Sequence, residues 1–172
     1  MKLLKELTDK KFTGKGVKLR EASRAVLIDD NGLVPILHVS KFKYHKLPGG
    51  GIDDGENKKQ ALIREVLEEV GSTISIDAEI GKIIEYRSKD NFNWGSEQKQ
   101  ISYCYLGKIL TKGEPHFEEF ELLEEFELVW MTLNEAIKTL QNDKPTNFEG
   151  TFIVDRDLTF LKAAQKIINS QD

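Results

Sequence analysis

The sequence predicts an α/β fold in which a mixed β-sheet packs between helices, with an α+β arrangement as the alternative. Three observations lead to this prediction. Strand-like apolar segments outnumber helical ones, several of them are joined by short turns, and helical patterns occupy the middle and the end of the chain. A length of 172 residues suits one core, so we expect a single domain over residues 1–172.

The first predicted hairpin joins two strands near the N-terminus. Residues 21–30 carry strand-like apolar positions, and the Asn31-Gly32 pair that follows is a strong signal for a tight turn. The second strand covers residues 33–39, where Pro35 predicts an edge position or a bulge.

A helix is the next predicted element, after a glycine-rich loop at residues 48–51. Its helical spacing runs from Glu56 to Val70, and Gly71 is well placed to end it. The later predicted elements are strands at residues 80–87, 100–110 and 120–131, a loop at 90–95, a short helix at 133–140 and a helix at 155–168.

The charge, the cysteine content and the apolar pattern of the chain argue against several classes of function. The net charge of −4 argues against a surface for duplex nucleic acid, although a mildly acidic enzyme can handle phosphates through a divalent cation. Cys104 is the single cysteine, so no disulfide or thiolate metal site can form within the chain. Its position between Tyr103 and Tyr105 in a strand pattern predicts a buried side chain. The charged N-terminus and the lack of a long apolar run predict a cytoplasmic protein without a membrane partner.

Three carboxylates share one face of the predicted helix. Glu65, Glu68 and Glu69 stand at i, i+3 and i+4, where each pair of like charges repels by about 0.2–0.5 kcal/mol. A divalent metal compensates such repulsion well, because hard cations prefer carboxylate oxygens. Taken alone, the same pattern also suits a solvated acidic face balanced by nearby lysines. Arg64 is expected to pair with Glu56 and so to join the loop to the helix.

A wider pattern bears on this choice. A glycine, a glutamate and an Arg-Glu pair precede two adjacent glutamates and a glycine at fixed spacing, and the residues of this pattern are Gly50, Glu56, Arg64, Glu65, Val66, Glu68, Glu69 and Gly71. The pattern resembles the Nudix box. Ser72 stands where the motif has an apolar residue. We expect this departure to change only the packing at the helix end, because no catalytic oxygen is lost.

The resemblance implies an α/β/α sandwich around a mixed β-sheet. It also implies hydrolysis of a nucleoside diphosphate linked to another moiety, with Mg²⁺ or Mn²⁺ as the cofactor. By the same resemblance, Glu68 and Glu69 bind the metal together with the Gly49 carbonyl, and Glu65 binds a metal or polarises the water. All three glutamates are therefore the predicted catalytic residues.

The remaining box residues are assigned structural or supporting roles by the resemblance: Gly50, Glu56, Arg64 and Gly71. Outside the box, five residues are candidate substrate contacts: Arg24, Lys46, Tyr86, Arg87 and Glu119. Three further glutamates are candidates for a last metal ligand or base, and the same run also fits a charged surface: Glu118, Glu119 and Glu121. Phe92 and Trp94 are candidates for stacking on a base.

Several functions remain open at this point. The first hypothesis is a nucleoside triphosphate pyrophosphohydrolase, similar to housecleaning enzymes that act on damaged nucleotides such as 8-oxo-dGTP. Hydrolysis of ADP-ribose or a nucleotide sugar is the second, although the proline that often follows the box in that subgroup does not occur between Ser72 and Glu114. A non-catalytic Nudix ligand sensor is the third, and retention of all three glutamates argues against it. The expected partner is a small nucleotide, and a homodimer is a candidate assembly.

Overall fold

A computed structural model describes residues 1–92 and 95–170, with the side chain of Phe92 left out of the description. The elements follow in chain order as β1 (Leu3–Thr8), β2 (Lys18–Ile28), β3 (Leu33–Val39), β4 (Tyr44–Lys46), α1 (Lys58–Val70), β5 (Thr73–Arg87), α2 (Lys89–Phe92), β6 (Gln98–Thr111), α3 (Glu119–Leu123), β7 (Phe126–Thr132), α4 (Leu133–Asn142) and α5 (Phe148–Asn169). Within these residues, no helix is long and apolar enough to cross a membrane.

The strands form two sheets. In the larger sheet the order is β1-β5-β6-β2, and both outer strands run parallel to their neighbours while β5 and β6 are antiparallel. In the smaller sheet β3 lies between β4 and β7, and both pairs are antiparallel. Pairing with β4 covers only Leu37–Val39, so at Pro35 the strand has a paired neighbour on the β7 side alone. The predicted edge character of Pro35 is therefore confirmed.

The side chains of β2 point alternately to two faces, and a helix packs on each face. Ala25 and Leu27 pack with Leu62 of α1 in one buried cluster, whereas Val26 packs with Phe160 of α5 in another. Successive strand residues point to opposite faces, so helices cover both sides of this strand. The α/β/α arrangement around a mixed sheet is confirmed. Cys104 is fully buried between the layers, as predicted.

Local signals fix both ends of α1. The Asn57 side chain accepts hydrogen bonds from the backbone N–H groups of Lys59 and Gln60, and the Gln60 side chain accepts one from the Asn57 N–H, which completes a capping box. Gly71 ends the helix in the left-handed conformation with φ of 66°. A Cβ at Gly71 would lie 2.3 Å from the carbonyl oxygen of Glu114, so this position requires glycine.

One predicted strand is wrong in its first half. Residues 119–123 form the short helix α3, and β7 begins only at Phe126. Phe120 and Leu122 alternate with glutamates as they would in a strand, but both side chains are more than half exposed. The helix follows instead from the capping box between Glu118 and Glu121.

Several element boundaries also differ from the prediction. β1 and α2 were not predicted, and β5, β6 and α5 begin before the predicted positions. For α5 the reason is local, because the Asn147 side chain accepts a hydrogen bond from the Gly150 N–H and starts the helix at Phe148.

Candidate active site

A cavity of about 430 Å³ opens beside the glycine-rich loop. Side chains from β2, β4, α1, α3 and α5 line it, together with the backbone of residues 49–51. Such a large concave site with converging charged groups is the expected place for ligand binding.

The glycine-rich loop is fastened to β2. The Ser23 N–H donates to the Gly50 carbonyl at 2.9 Å, and the Ala25 N–H donates to the Pro48 carbonyl at 3.2 Å. Gly49 has a φ of 123°, and a Cβ on it would lie 2.1 Å from the Ser23 carbonyl oxygen. Only glycine permits this close approach of two backbones.

Arg64 joins the loop to the acidic face of α1. Its guanidinium donates to both carboxylate oxygens of Glu56, at 2.9 and 3.0 Å, so the predicted pair is present. The same group donates to Glu65 at 2.9 Å, to Glu68 at 3.2 Å and to the Gly51 carbonyl at 3.1 Å. One planar fork thus holds three carboxylates and the loop in a fixed arrangement.

Glu69 is the most deeply buried of the three helix carboxylates, with a relative exposure of 1%. It accepts hydrogen bonds from Lys46 Nζ at 2.9 Å and from the Gly49 N–H at 2.5 Å. Glu121 of α3 is also buried beside it. Burial first, and then the charge of Glu69, raise the pKa of Glu121 to about 7. Burial and the charge of Glu69 likewise raise the pKa of Glu65.

These carboxylates fit a divalent cation by their chemistry. Among residues 1–92 and 95–170, no three acidic, histidine or cysteine side chains are already arranged to hold a metal ion, since Arg64 and Lys46 occupy the carboxylate oxygens. Yet carboxylate oxygens are the donors that a hard cation prefers. Burial first, and then repulsion from Glu69, raise the pKa of Glu65 and of Glu121, and a bound cation would relieve this repulsion. The assignment of Glu65, Glu68 and Glu69 as ligands stays a prediction.

We call Glu65, Glu68, Glu69 and Glu121 the carboxylate side of the cavity, and Arg20, Arg24, Arg87 and Arg156 the arginine side. On the arginine side, Arg156 donates to Asp157 at 2.7 Å and Arg87 donates to Glu85 at 2.8 Å, and all four of these side chains are buried. Six basic groups therefore line the cavity: Arg20, Arg24, Lys46, Arg64, Arg87 and Arg156. They give the cavity the capacity to bind anions.

The structure brings together some of the predicted substrate contacts and not others. Arg24, Lys46 and Arg87 line the cavity, but Tyr86 and Glu119 do not. Neighbouring strand residues point to opposite faces, so Tyr86 turns away from Arg87 and packs against Phe12 at 5.3 Å between ring centroids.

Glu119 lies outside the cavity lining for a similar reason. α3 places Glu118 and Glu121, three positions apart, on the cavity side, while Glu119 is exposed on another side. Trp94 and the Phe92 side chain lie outside the described residues. Arg20 and Arg156 were missed. The even spacing of Arg20 and Arg24 is a signal that places both on one face of a strand, but the predicted strand began only at residue 21, whereas β2 begins at Lys18.

The fold and the site together define an α/β/α domain with a carboxylate-rich cleft that also carries basic groups. The chain belongs to the NUDIX family, because the family model described as NUDIX domain matches residues 18–150. The resemblance predicted from the box is confirmed. Hydrolases of this family generally need a divalent metal ion.

Known proteins are similar over parts of the chain. An RNA pyrophosphohydrolase from Wolbachia (Drosophila simulans strain wRi) is 40% identical over 74 residues, which are 43% of this chain and 41% of that protein. The match thus spans about two fifths of the Wolbachia protein. A diphosphoinositol polyphosphate phosphohydrolase 3-beta from Bos taurus is 28% identical over 117 residues, 66% of this chain and 65% of that protein. The crystal structure of a MutT protein from Methanosarcina mazei shares the fold, with a TM-score of 0.56 and 18% identity over 88% of this chain and 96% of that one.

Proposed function

We propose that this protein is a pyrophosphohydrolase, dependent on Mg²⁺ or Mn²⁺, that cleaves a phosphoanhydride bond in a nucleoside diphosphate linked to another moiety. A nucleoside triphosphate is the first candidate substrate. The observation that carries the proposal is the convergence of the α1 carboxylates and six basic side chains on one cavity beside the glycine-rich loop. Hydrolysis of a phosphoanhydride needs both kinds of group.

Different residues of the chain take different roles in this reaction. Glu65, Glu68 and Glu69 would hold the metal, which supplies positive charge to phosphate oxygens and lowers the pKa of bound water. Glu121, with a pKa of about 7, can accept the proton of the attacking water on its carboxylate near neutral pH. Arg24 and Lys46 line the same cavity and can donate to phosphate oxygens.

The relatives widen the set of candidate substrates. Their names indicate RNA and a diphosphoinositol polyphosphate, both rich in phosphate, and the basic groups of the cavity can donate to phosphate oxygens. A damaged nucleotide such as 8-oxo-dGTP stays in the set as predicted from the sequence. Cytoplasmic localisation, a homodimer and the lack of duplex nucleic acid or membrane partners also stay predictions.

The test is a hydrolysis screen with purified protein and Mg²⁺ or Mn²⁺. Nucleoside triphosphates, 8-oxo-dGTP, ADP-ribose, 5′-triphosphorylated RNA and a diphosphoinositol polyphosphate are supplied, and phosphate is measured after added pyrophosphatase or phosphatase. Glu68→Gln is expected to lower turnover at least about a hundredfold, because a central electrostatic group is lost. Glu127→Gln makes the same change on an exposed side chain outside the cavity and should leave turnover unchanged. Near-normal turnover of Glu68→Gln would reject the assignment.

A further inference from the structure

Arg24 is a buried cation, and two of its three guanidinium nitrogens have no hydrogen-bond partner among the described residues. Its residue exposure is 6%, and its side chain lines the cavity from β2. Within the part of the chain that the structure describes, Nε and Nη1 have no hydrogen-bond partner. A buried charge without partners destabilises a fold, so a side chain of this kind needs a compensating role.

The charges around Arg24 are of both signs, because Arg156 acts on it together with the carboxylates of Asp157, Glu69 and Glu65. Burial is the main cause that lowers the pKa of Arg24, and the charge of Arg156 comes next. Burial also lowers the pKa of Arg20 to about 10, followed by repulsion from Arg24 and Arg87. Arg20 Nη1 donates to the neutral Gln100 side chain at 2.7 Å. An anion placed between Arg20 and Arg24 would relieve both effects.

The glycine-rich loop relates the arginine side to the carboxylate side. A Cβ on Gly50 would lie 2.3 Å from the Glu65 carboxylate, whereas a Cβ on Gly51 would lie 3.3 Å from Arg20 Nη2. Two consecutive residues thus contact opposite charges. Arg24 is the member of the arginine side whose backbone meets this loop, since a Cβ on Gly49 would lie 3.0 Å from the Arg24 Cα. The charges of Glu65 and Glu69 also act on Arg24.

We propose that Arg24 and Arg20 form a phosphate subsite that works without metal and adjoins the carboxylate side. In this arrangement the two phosphates of the cleaved phosphoanhydride lie at the carboxylate side, and a further phosphate lies at Arg24 and Arg20. The substrate therefore carries at least three phosphates. Nucleoside triphosphates, 5′-triphosphorylated RNA and diphosphoinositol polyphosphates meet this requirement, and ADP-ribose does not. Guanidinium groups suit this task because their N–H groups match phosphate oxygens in pairs. The substrate conclusion rests on the proposed function, but the binding of phosphate does not.

Binding is tested first, with the full chain in EDTA and inorganic tripolyphosphate as the probe. Calorimetry and thermal unfolding are measured against sodium chloride of equal ionic strength. We expect tripolyphosphate to bind the wild type and raise its melting temperature, and to bind Arg24→Met at least about tenfold more weakly, as loss of a charge-assisted hydrogen bond requires. Lys108→Met removes one charge from an exposed position on β6 and should bind as the wild type does. Equal affinity of Arg24→Met and the wild type, or no binding by the wild type, would overturn the subsite.

Folding of the variants is checked in the same scans. Without ligand, Arg24→Met is expected to melt at or above the temperature of the wild type, because an apolar side chain replaces a buried guanidinium whose Nε and Nη1 have no hydrogen-bond partner among the described residues. Arg20→Gln provides a second probe of the subsite and is also expected to weaken binding of tripolyphosphate.

The number of substrate phosphates is tested by kinetics. Arg20→Gln should lower kcat/KM for a nucleoside triphosphate by about tenfold or more, and for ADP-ribose by less than about threefold. Equal losses of kcat/KM on both substrates would refute the conclusion that the substrate carries a third phosphate. If the wild type hydrolyses none of these compounds, the proposed function fails, while the calorimetry in EDTA still decides whether the phosphate subsite exists.

Discussion

Replacement of Gly49 by alanine is expected to destabilise the fold strongly. The new Cβ would lie 2.1 Å from the Ser23 carbonyl oxygen and 3.0 Å from the Arg24 Cα, and both atoms belong to the backbone of β2. Backbone atoms cannot rotate away as a side chain can. The loop must therefore move, and this movement strains the hydrogen bonds that the Pro48 and Gly50 carbonyls accept from β2.

The magnitude follows from two contributions. A non-glycine residue at a φ of 123° brings about 1–2 kcal/mol of strain, and overpacking against β2 brings about 1–3 kcal/mol. Loss of glycine's freedom in the unfolded chain offsets about 0.4–1 kcal/mol. We expect a net decrease of about 2–4 kcal/mol in the free energy of unfolding.

Two matched variants separate these contributions in denaturant unfolding followed by circular dichroism. Gly55 also has a positive φ, of 88°, but open space around it, so Gly55→Ala reports strain alone. The three atoms nearest to a Cβ at Gly50 all belong to the movable Glu65 carboxylate, so Gly50→Ala should lower activity more than stability. If Gly49→Ala and Gly55→Ala lose the same free energy, the contact between the loop and β2 is not tight and the reasoning is wrong.

Two further predictions concern buried titratable groups. Because Glu121 has a pKa raised to about 7, the folded wild type keeps a proton that the unfolded chain has lost between pH 4.5 and 7. In metal-free buffer its free energy of unfolding should therefore fall relative to Glu121→Gln as the pH rises through this window, by about 1–2 kcal/mol after solvent screening; parallel pH profiles would contradict this. Cys104 is fully buried and its pKa is raised by burial, so a thiol reagent should modify it only as fast as the protein unfolds. Rapid labelling of the folded protein would show that the core opens there.

The parts of the molecule that the sequence predicted well depend on local spacing. Glu65, Glu68 and Glu69 share a face because of the helical repeat, and Gly71 ends α1 because of its own conformational freedom. Both relations lie within one segment. They could be predicted without knowledge of the rest of the chain.

The parts that the sequence did not predict depend on distant segments or on competing local signals. The strand-like alternation around Phe120 gives way to a helix because a capping box competes with it. The choice between Tyr86 and Arg87 depends on which face of β5 meets the cavity, and that is decided by packing against α5. Arg156 reaches the cavity from the C-terminal helix, a proximity that no local spacing contains.

The parallel pairing of β2 with β6 has a consequence for how the protein is made. Arg20 and Gln100 touch although 80 positions of the chain separate them, and Arg156 completes the same wall. During synthesis the ribosome must release the chain past Arg156 before these groups can meet. Folding dominated by such distant partners is slow. A nascent chain would therefore form its acidic helix α1 well before the arginine side of the cavity is assembled.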